Sequence, residues 1–482
     1  MLFDSIDFVV FLPIVFFLYW FVCQRNLQLQ NTLIVAASAV FYGWWNTHFL
    51  ALIFFSTGVD FAVGRGLART EDTQKRKLLL WVSLVSNLGL LFYFKYCNFF
   101  VDNFIQAFSF FGGQFGPNTL NILLPVGISF YTFQTLSYTI DVYNKKLAPT
   151  NDFIQFAAFV SFFPQLVAGP IEKASHLLPQ FSVERKFDYL AAVDGSRQIL
   201  WGMFKKVVIA DNCAPYVSMV FDNSANCSSS TLVLGVVLFS IQIYGDFSGY
   251  SDIAIGTARL FGIRLSRNFA FPYFSRNIAE LWQRWHISLS SWFRDYLYIP
   301  LGGSRRGMAI SIRNIFVIFL VSGFWHGASW NYVIWGGLHA VYFLPLFLTK
   351  QNKGYSTIVA HDRWFPSIKE LFQMLLTFGL FTFAFIFFRT ANLEHAFGYI
   401  TGIFDASFFT MPYVTEDRPK EFFVYILVAF FILEWIGRRG QFAMDYWIEY
   451  LYKPLRYLVY FLLVFLIFYC SGQPQQFLYF QF

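Results

Sequence analysis

Charge is what this chain has least of. Among its 482 residues only 13% are Asp, Glu, Lys or Arg, against about a quarter in an ordinary soluble domain. A water-soluble fold could not hide the remaining apolar surface, so that class is excluded. Cysteine is also scarce. Cys23, Cys97, Cys213, Cys227 and Cys470 stand without metal-ligand or redox spacing, which excludes a zinc knuckle or a dithiol motif. All but Cys227 lie in or beside apolar runs and read as small buried hydrophobes. A cleavable leader is not expected either: Asp4 and Asp7 precede the first apolar run, where a leader would be basic. Residues 8–22 are therefore expected to stay as a first span. The chain shows no soluble domain, low-complexity tract or repeat, and its longest polar stretches, 350–370 and 389–420, are loop-sized. The expectation is one membrane-embedded domain, 1–482, with a motif-bearing core near 122–348.

What is present is hydrophobic and aromatic: 57% and 22% of the residues, with 66 Phe. Runs such as Phe381–Phe388 and Phe422–Phe431 have no polar face to turn to water, so they read as spans. Apolar segments lie near 8–22, 31–45, 48–63, 78–96, 98–111, 122–143, 152–171, 197–220, 231–261, 312–328, 330–348, 371–388, 422–437 and 455–470. A crossing needs ~20 residues, so roughly eleven to thirteen helices should cross, with the others re-entrant. The fold class is an all-α polytopic integral membrane protein.

The formal net charge of +7 does not point to nucleic acid, because no basic stripe lies on a polar scaffold. The basic residues fall between apolar runs, at Arg65, Arg69, Lys75, Arg76 and Lys77, at Arg305, Arg306 and Arg313, and at Arg438 and Arg439. Those are cytoplasmic loops by the positive-inside rule, while 112–121 and 222–230, nearly free of Lys and Arg, face outside.

In such a chain the informative residues are polar ones inside apolar sequence, since each is costly in hydrocarbon. His326 sits in Ser322-Gly323-Phe324-Trp325-His326-Gly327-Ala328-Ser329-Trp330, framed by small residues and two tryptophans. A neutral imidazole is the least costly group that can take and return a proton near neutral pH. The competing role is a structural histidine bonded to a neighbouring helix. In the segment 281–296, Trp282, Trp285, Leu289, Trp292 and Tyr296 recur at helical steps, and Arg284, Ser288, Ser291 and Asp295 recur on another face. That pattern predicts one amphipathic or re-entrant helix carrying His286, with a donor-rich lining suited to a carbonyl or phosphate. An interfacial helix with snorkelling arginines would show the same pattern. Tyr244–Asp252 places Asp246, Tyr250 and Asp252 after an apolar run, either as an orienting shell for a histidine or as helix caps at a membrane boundary. No carboxylate or histidine cluster is placed to complete a metal site.

Read together, PVGISFYTFQ at 125–134, FFPQLVAGPI at 162–171, WGMFKK at 201–206, GDFSGYSDIAIG at 245–256, RWHISLSSWFRDYLYIPLGG at 284–303, FWHGASWNYVIWGGLH at 324–339 and the closing FLYFQF resemble the membrane-bound O-acyltransferase (MBOAT) superfamily. The likeness is to the bacterial branch typified by the alginate O-acetyltransferase AlgI. It implies helices around a central tunnel in the bacterial inner membrane. The implied catalytic residues are His326 and His286. Trp285, Ser290, Arg294, Asp295, Trp325 and Asn331 would contact substrate, with Asp246, Tyr250 and Asp252 in support. It further implies acetyl-CoA as a donor substrate, no resident cofactor, and a periplasmic or membrane-anchored SGNH-type O-acetyltransferase partner that acetylates an exported polysaccharide. Two other functions fit the same residues: a D-alanyl transferase of the teichoic-acid pathway, and a proton-coupled transporter.

Overall fold

The computed structural model describes the chain apart from residues 111–119, 121, 168, 353–354, 356, 413–420, 473–474, 476 and 479–482. Helices and connecting segments make up the described residues, with no strand among them. Among the described residues seven helices are long and apolar enough to cross a bilayer, and Ile6–Val22 and Phe422–Gly437 are shorter apolar ones. The expected outer loop 112–121 lies almost wholly outside the described residues, as do the last four residues of the closing FLYFQF. The chain forms two compact units.

The first unit takes residues 1–192 and 258–265. It is built from α1 (Ile6–Phe17), α2 (Leu27–Gly43), α3 (Leu50–Arg69), α4 (Thr73–Leu91), α5 (Cys97–Phe110), α6 (Ile128–Tyr143), α7 (Phe153–Ser161) and the single turns α8 (Phe163–Leu166) and α9 (Ala174–Leu177). Side-chain caps set several starts: Asn26 Oδ1 accepts from the amides of Gln28 and Leu29, and Asp72 Oδ1 from Gln74. Two boundaries differ from the sequence pattern. The segments 78–96 and 98–111 join into one helical run, Thr73–Ser109, because neither Pro nor Gly interrupts it near Cys97. The segment 152–171 breaks at Phe162 (φ −49°, ψ 106°), where Pro164 follows and cannot donate to a continuing helix. Inside the unit the buried Asp60 of α3 accepts from Asn87 Nδ2 at 2.8 Å, from Thr139 Oγ1 at 2.8 Å and from Ser83 Oγ. Three helices thus meet on one carboxylate, as buried polar groups in a membrane protein must find partners inside the protein.

The second unit takes residues 193–257 and 266–482. α10 (Tyr189–Met203) enters it and passes through a π-helical turn, Phe204–Ala210, into α11 (Asp211–Asp222) and the long α12 (Ser229–Leu260). There follow α13 (Ile278–Arg284), α14 (Ile287–Phe293), α15 (Met308–His326), α16 (Trp330–Leu348), α17 (Ile368–Arg389), α18 (Leu393–Ile403), α19 (Glu421–Gly437), α20 (Ala443–Trp447) and α21 (Lys453–Cys470). The widened turn lets two successive side chains, Lys205 and Lys206, both be buried, each 3% exposed.

The hairpin α15–α16 positions the site. It turns within three residues, and Ser329 caps α16 by accepting from the Asn331 amide. Its helices touch at glycines: a Cβ on Gly323 would lie 2.1 Å from Tyr332 O, and one on Gly336 would lie 2.2 Å from Phe319 O. A side chain on either must push the helices apart. A Gly336→Val variant is therefore expected to displace the end of α15, where His326 sits. It should lose roughly tenfold or more in turnover and melt earlier in detergent than wild type. Unchanged turnover and melting would show that the close approach is dispensable.

Candidate active site

The sequence pattern predicts one continuous helix over 281–296, and the chain instead breaks at its centre. α13 ends at Arg284, Trp285 is extended (φ −106°, ψ 126°), and His286 takes left-handed backbone angles (φ 44°, ψ 53°) before α14 begins. A residue with a Cβ pays roughly 1–2 kcal/mol for that conformation, and such strain persists where surrounding structure enforces it. Two backbone bonds enforce it here: Ala270 N donates to Arg284 O, and Ile287 N donates to Asn268 O, both at 2.9 Å. The break sends the expected aromatic face to two different walls. Trp285 packs on Tyr244, Phe269, Tyr273 and Phe381, and Trp282 on Phe319, Trp335 and His339.

The break also turns His286 toward His326. The two ring centroids are 6.3 Å apart, although forty residues of sequence separate them. Both rings are buried, His286 completely and His326 at 3% exposure. Trp325, Trp335 and Phe388 surround His326 at 5.0, 5.1 and 5.5 Å, and Phe247 of α12 meets His286 edge-on at 4.7 Å. Such an enclosure excludes bulk water and strengthens every electrostatic interaction inside it.

The other expected site residues divide. Trp325 lies beside both imidazoles, 5.0 Å from His326 and 6.0 Å from His286. Ser290 is half-buried and donates its amide to His286 O at 3.1 Å. Arg294 is not beside the histidines: its side chain is 66% exposed and bonds Asp295 at 2.8 Å. Asn331 is buried and spends its amide on Thr390 O at 2.7 Å, tying α16 to the end of α17. Asp246 and Asp252 lie beside lysines, with Lys206 at 2.8 Å and Lys205 at 2.6 Å, and Gln198 adds a bond to Asp252 at 2.8 Å. The ring of Tyr250 rests on Phe477, 4.6 Å away.

Two features escaped the sequence reading. Asn268, absent from every motif, is the partner of His286 Nδ1 at 3.1 Å. Lys205 and Lys206 are the counterions of the two aspartates. The lysines were findable, being ionisable residues within an apolar segment by the same rule that marked Asp246 and Asp252. Asn268 carried no signal beyond its type, because its role depends on a contact 18 residues away in sequence.

Comparison with known proteins defines the class. Residues 41–352 match the model of the MBOAT, membrane-bound O-acyltransferase family. The chain is 36% identical over 436 residues to a protein named probable alginate O-acetylase AlgI from Pseudomonas aeruginosa, covering 89% of this chain and 80% of that one. It is 35% identical over 439 residues to the peptidoglycan O-acetyltransferase of Helicobacter pylori, covering 85% and 81%. A more distant match is the teichoic acid D-alanyltransferase of Bacillus subtilis, 28% identical over 293 residues and covering 57% and 71%. The helices are thus those of a multi-pass membrane acyltransferase. The chain belongs to the membrane-bound O-acyltransferase family, and its chemistry is O-acetyl transfer from an acyl donor.

Proposed function

We propose that the whole chain, 1–482, acts as one membrane-embedded domain of the bacterial inner membrane. In this reading it takes acetyl groups from cytoplasmic acetyl-CoA and hands them to a periplasmic or membrane-anchored partner, of the SGNH O-acetyltransferase type, that esterifies an exported glycan such as alginate or a related envelope polymer. The observation that carries the reading is the approach of His286 and His326, from segments forty residues apart, inside one aromatic enclosure.

The chemistry runs by general-base acyl transfer. His326 takes the proton of an incoming hydroxyl as its oxygen attacks the thioester carbonyl. The tetrahedral intermediate collapses, the C–S bond breaks, and the proton passes to the departing thiolate. Products are the O-acetyl ester and free thiol. His286 is the second imidazole within reach of the same small group, since two hydrogen-bond lengths of about 3 Å span the distance between the rings. Because both rings are buried, donor and acceptor reach them only when aromatic side chains such as Trp325 or Phe247 swing aside. That gating also limits hydrolysis of the thioester.

The test is to offer the purified protein, in nanodiscs, radiolabelled acetyl-CoA together with a soluble polyol or glycan acceptor. Acetyl ester and free CoA in equal amounts are expected. A requirement for a carrier-protein thioester in place of acetyl-CoA would replace this donor with that of the D-alanyl transferases. Solute uptake driven by an ion gradient, with no ester formed, would overturn the enzyme mechanism in favour of a carrier.

A further inference from the structure

Asn268 lies in the segment between α12 and α13 and is completely buried. Its carboxamide oxygen accepts three contacts: Ser288 Oγ at 2.9 Å, His286 Nδ1 at 3.1 Å and the Ser288 amide at 3.4 Å. Its Nδ2 donates to Ser251 Oγ of α12 at 3.2 Å. The orientation of an Asn amide is settled by such partners. A backbone N–H can only donate, so the atom facing Ser288 N, and with it His286 Nδ1, is the oxygen. The backbone of Asn268 adds a further tie, accepting from Ile287 N at 2.9 Å.

We infer that Asn268 is a positioning residue for acyl transfer, fixing His286 as the tautomer with hydrogen on Nδ1 and the lone pair on Nε2. A carboxamide oxygen has no proton to give, so the proton of that bond belongs to the imidazole. A neutral His286 therefore presents Nε2 as a proton acceptor and cannot donate from it to a developing oxyanion. This narrows the roles available at the site. His286 accepts a proton or orients a hydroxyl, and oxyanion donors must come from elsewhere. The same side chain bridges α12, through Ser251, to the left-handed turn at His286, so one residue sets both the direction and the protonation of the ring. The inference rests on the acyl-transfer reading only for its catalytic consequence; the tautomer stands on geometry alone.

Two measurements test it separately. In wild-type protein labelled with ¹⁵N-histidine, with His286 assigned by comparison with a His286→Gln variant, the neutral ring should show a protonated Nδ1 and a pyridine-type Nε2. A proton on Nε2, or on both nitrogens at neutral pH, would overturn the assignment whatever the enzyme's activity. Kinetics then read the catalytic part. Asn268→Ala is expected to lower kcat on the order of 10²-fold, with KM for the acyl donor nearly unchanged. Asn268→Asp also accepts from Nδ1–H, so it should recover at least about a tenth of wild-type kcat. Its carboxylate favours the imidazolium, so the base form appears only at higher pH and the acid limb of the profile should move up. Full activity in Asn268→Ala, or an Asn268→Asp profile that superposes on wild type, would remove Asn268 from this role even if the tautomer is as stated.

Discussion

A His326→Ala enzyme should transfer acetyl groups at least about 10³-fold more slowly than wild type, the upper range for loss of a positioned general base. The expectation follows from where the ring lies. His326 closes α15 at its last residue and is held among Trp325, Trp335 and Phe388, with the second imidazole 6.3 Å away. Among these neighbours His286 is the other side chain that titrates. Removing the ring also opens a void in an aromatic cage, which by itself costs stability. His326→Gln separates the two effects, since it fills most of the space and hydrogen-bonds but cannot carry a proton. Both variants should reach the membrane in normal amounts, and both should be inactive. An active Gln variant would assign His326 a structural role and leave the chemistry to His286.

Much of this molecule could be read before any coordinates. The segments 231–261, 330–348, 371–388 and 455–470 correspond to α12, α16, α17 and α21 within a few residues, because mainly apolar runs of that length have one stable form in a bilayer. Boundaries failed where a local event outweighed hydrophobicity. The Thr73–Ser109 run continues through a point the hydropathy pattern divides, and the chain leaves its helix at Phe162 ahead of Pro164. The largest miss is the segment 281–296. Its three- and four-residue periodicity is real, yet the left-handed His286 splits it. Periodicity reports which residues would share a face if the backbone were helical, and it is blind to two backbone bonds, from Ala270 and Ile287, that make it otherwise.

The site was legible as residue types and only partly as geometry. Both histidines came from the motifs, and their meeting is visible only in three dimensions. Asp295 looked like part of a polar lining on an ideal helix and Arg294 like a substrate contact, but the chain breaks at His286 and Arg294, at the start of the π-helical turn Arg294–Tyr298, is largely exposed. Asp246 and Asp252, read as an orienting shell or as helix caps, are buried within α12, and their partners are lysines on the widened turn after α10. A lone carboxylate in an apolar setting demands a counter-charge, and the only question is which segment of the chain supplies it.

That pairing leads to the second large effect. Lys206 Nζ lies 2.8 Å from both Asp246 and Asp211, and donates to Gln475 O at 3.1 Å; Asp246 in turn accepts the Leu478 amide at 2.8 Å. One ammonium group therefore neutralises two carboxylates and helps seat the segment bearing Phe477, whose ring lies against Tyr250 and Phe247. Phe247 is the ring that meets His286. Lys206→Met keeps the length of the side chain and deletes its charge, leaving Asp246 and Asp211 without the ammonium that lies 2.8 Å from each. Breaking a buried pair by removing one partner costs about 3–5 kcal/mol, so the variant should melt well below wild type in detergent and lose turnover. Adding Asp246→Asn removes one of the orphaned charges and should return part of the melting temperature, since the cost lies in the unpaired carboxylate more than in the lost contact. It should return less of the turnover, because the amide of Leu478 then loses its anionic acceptor and the support behind Phe247 slackens. Equal melting of Lys206→Met and wild type would mean that water reaches these carboxylates, and the buried network would then carry no weight in holding His286.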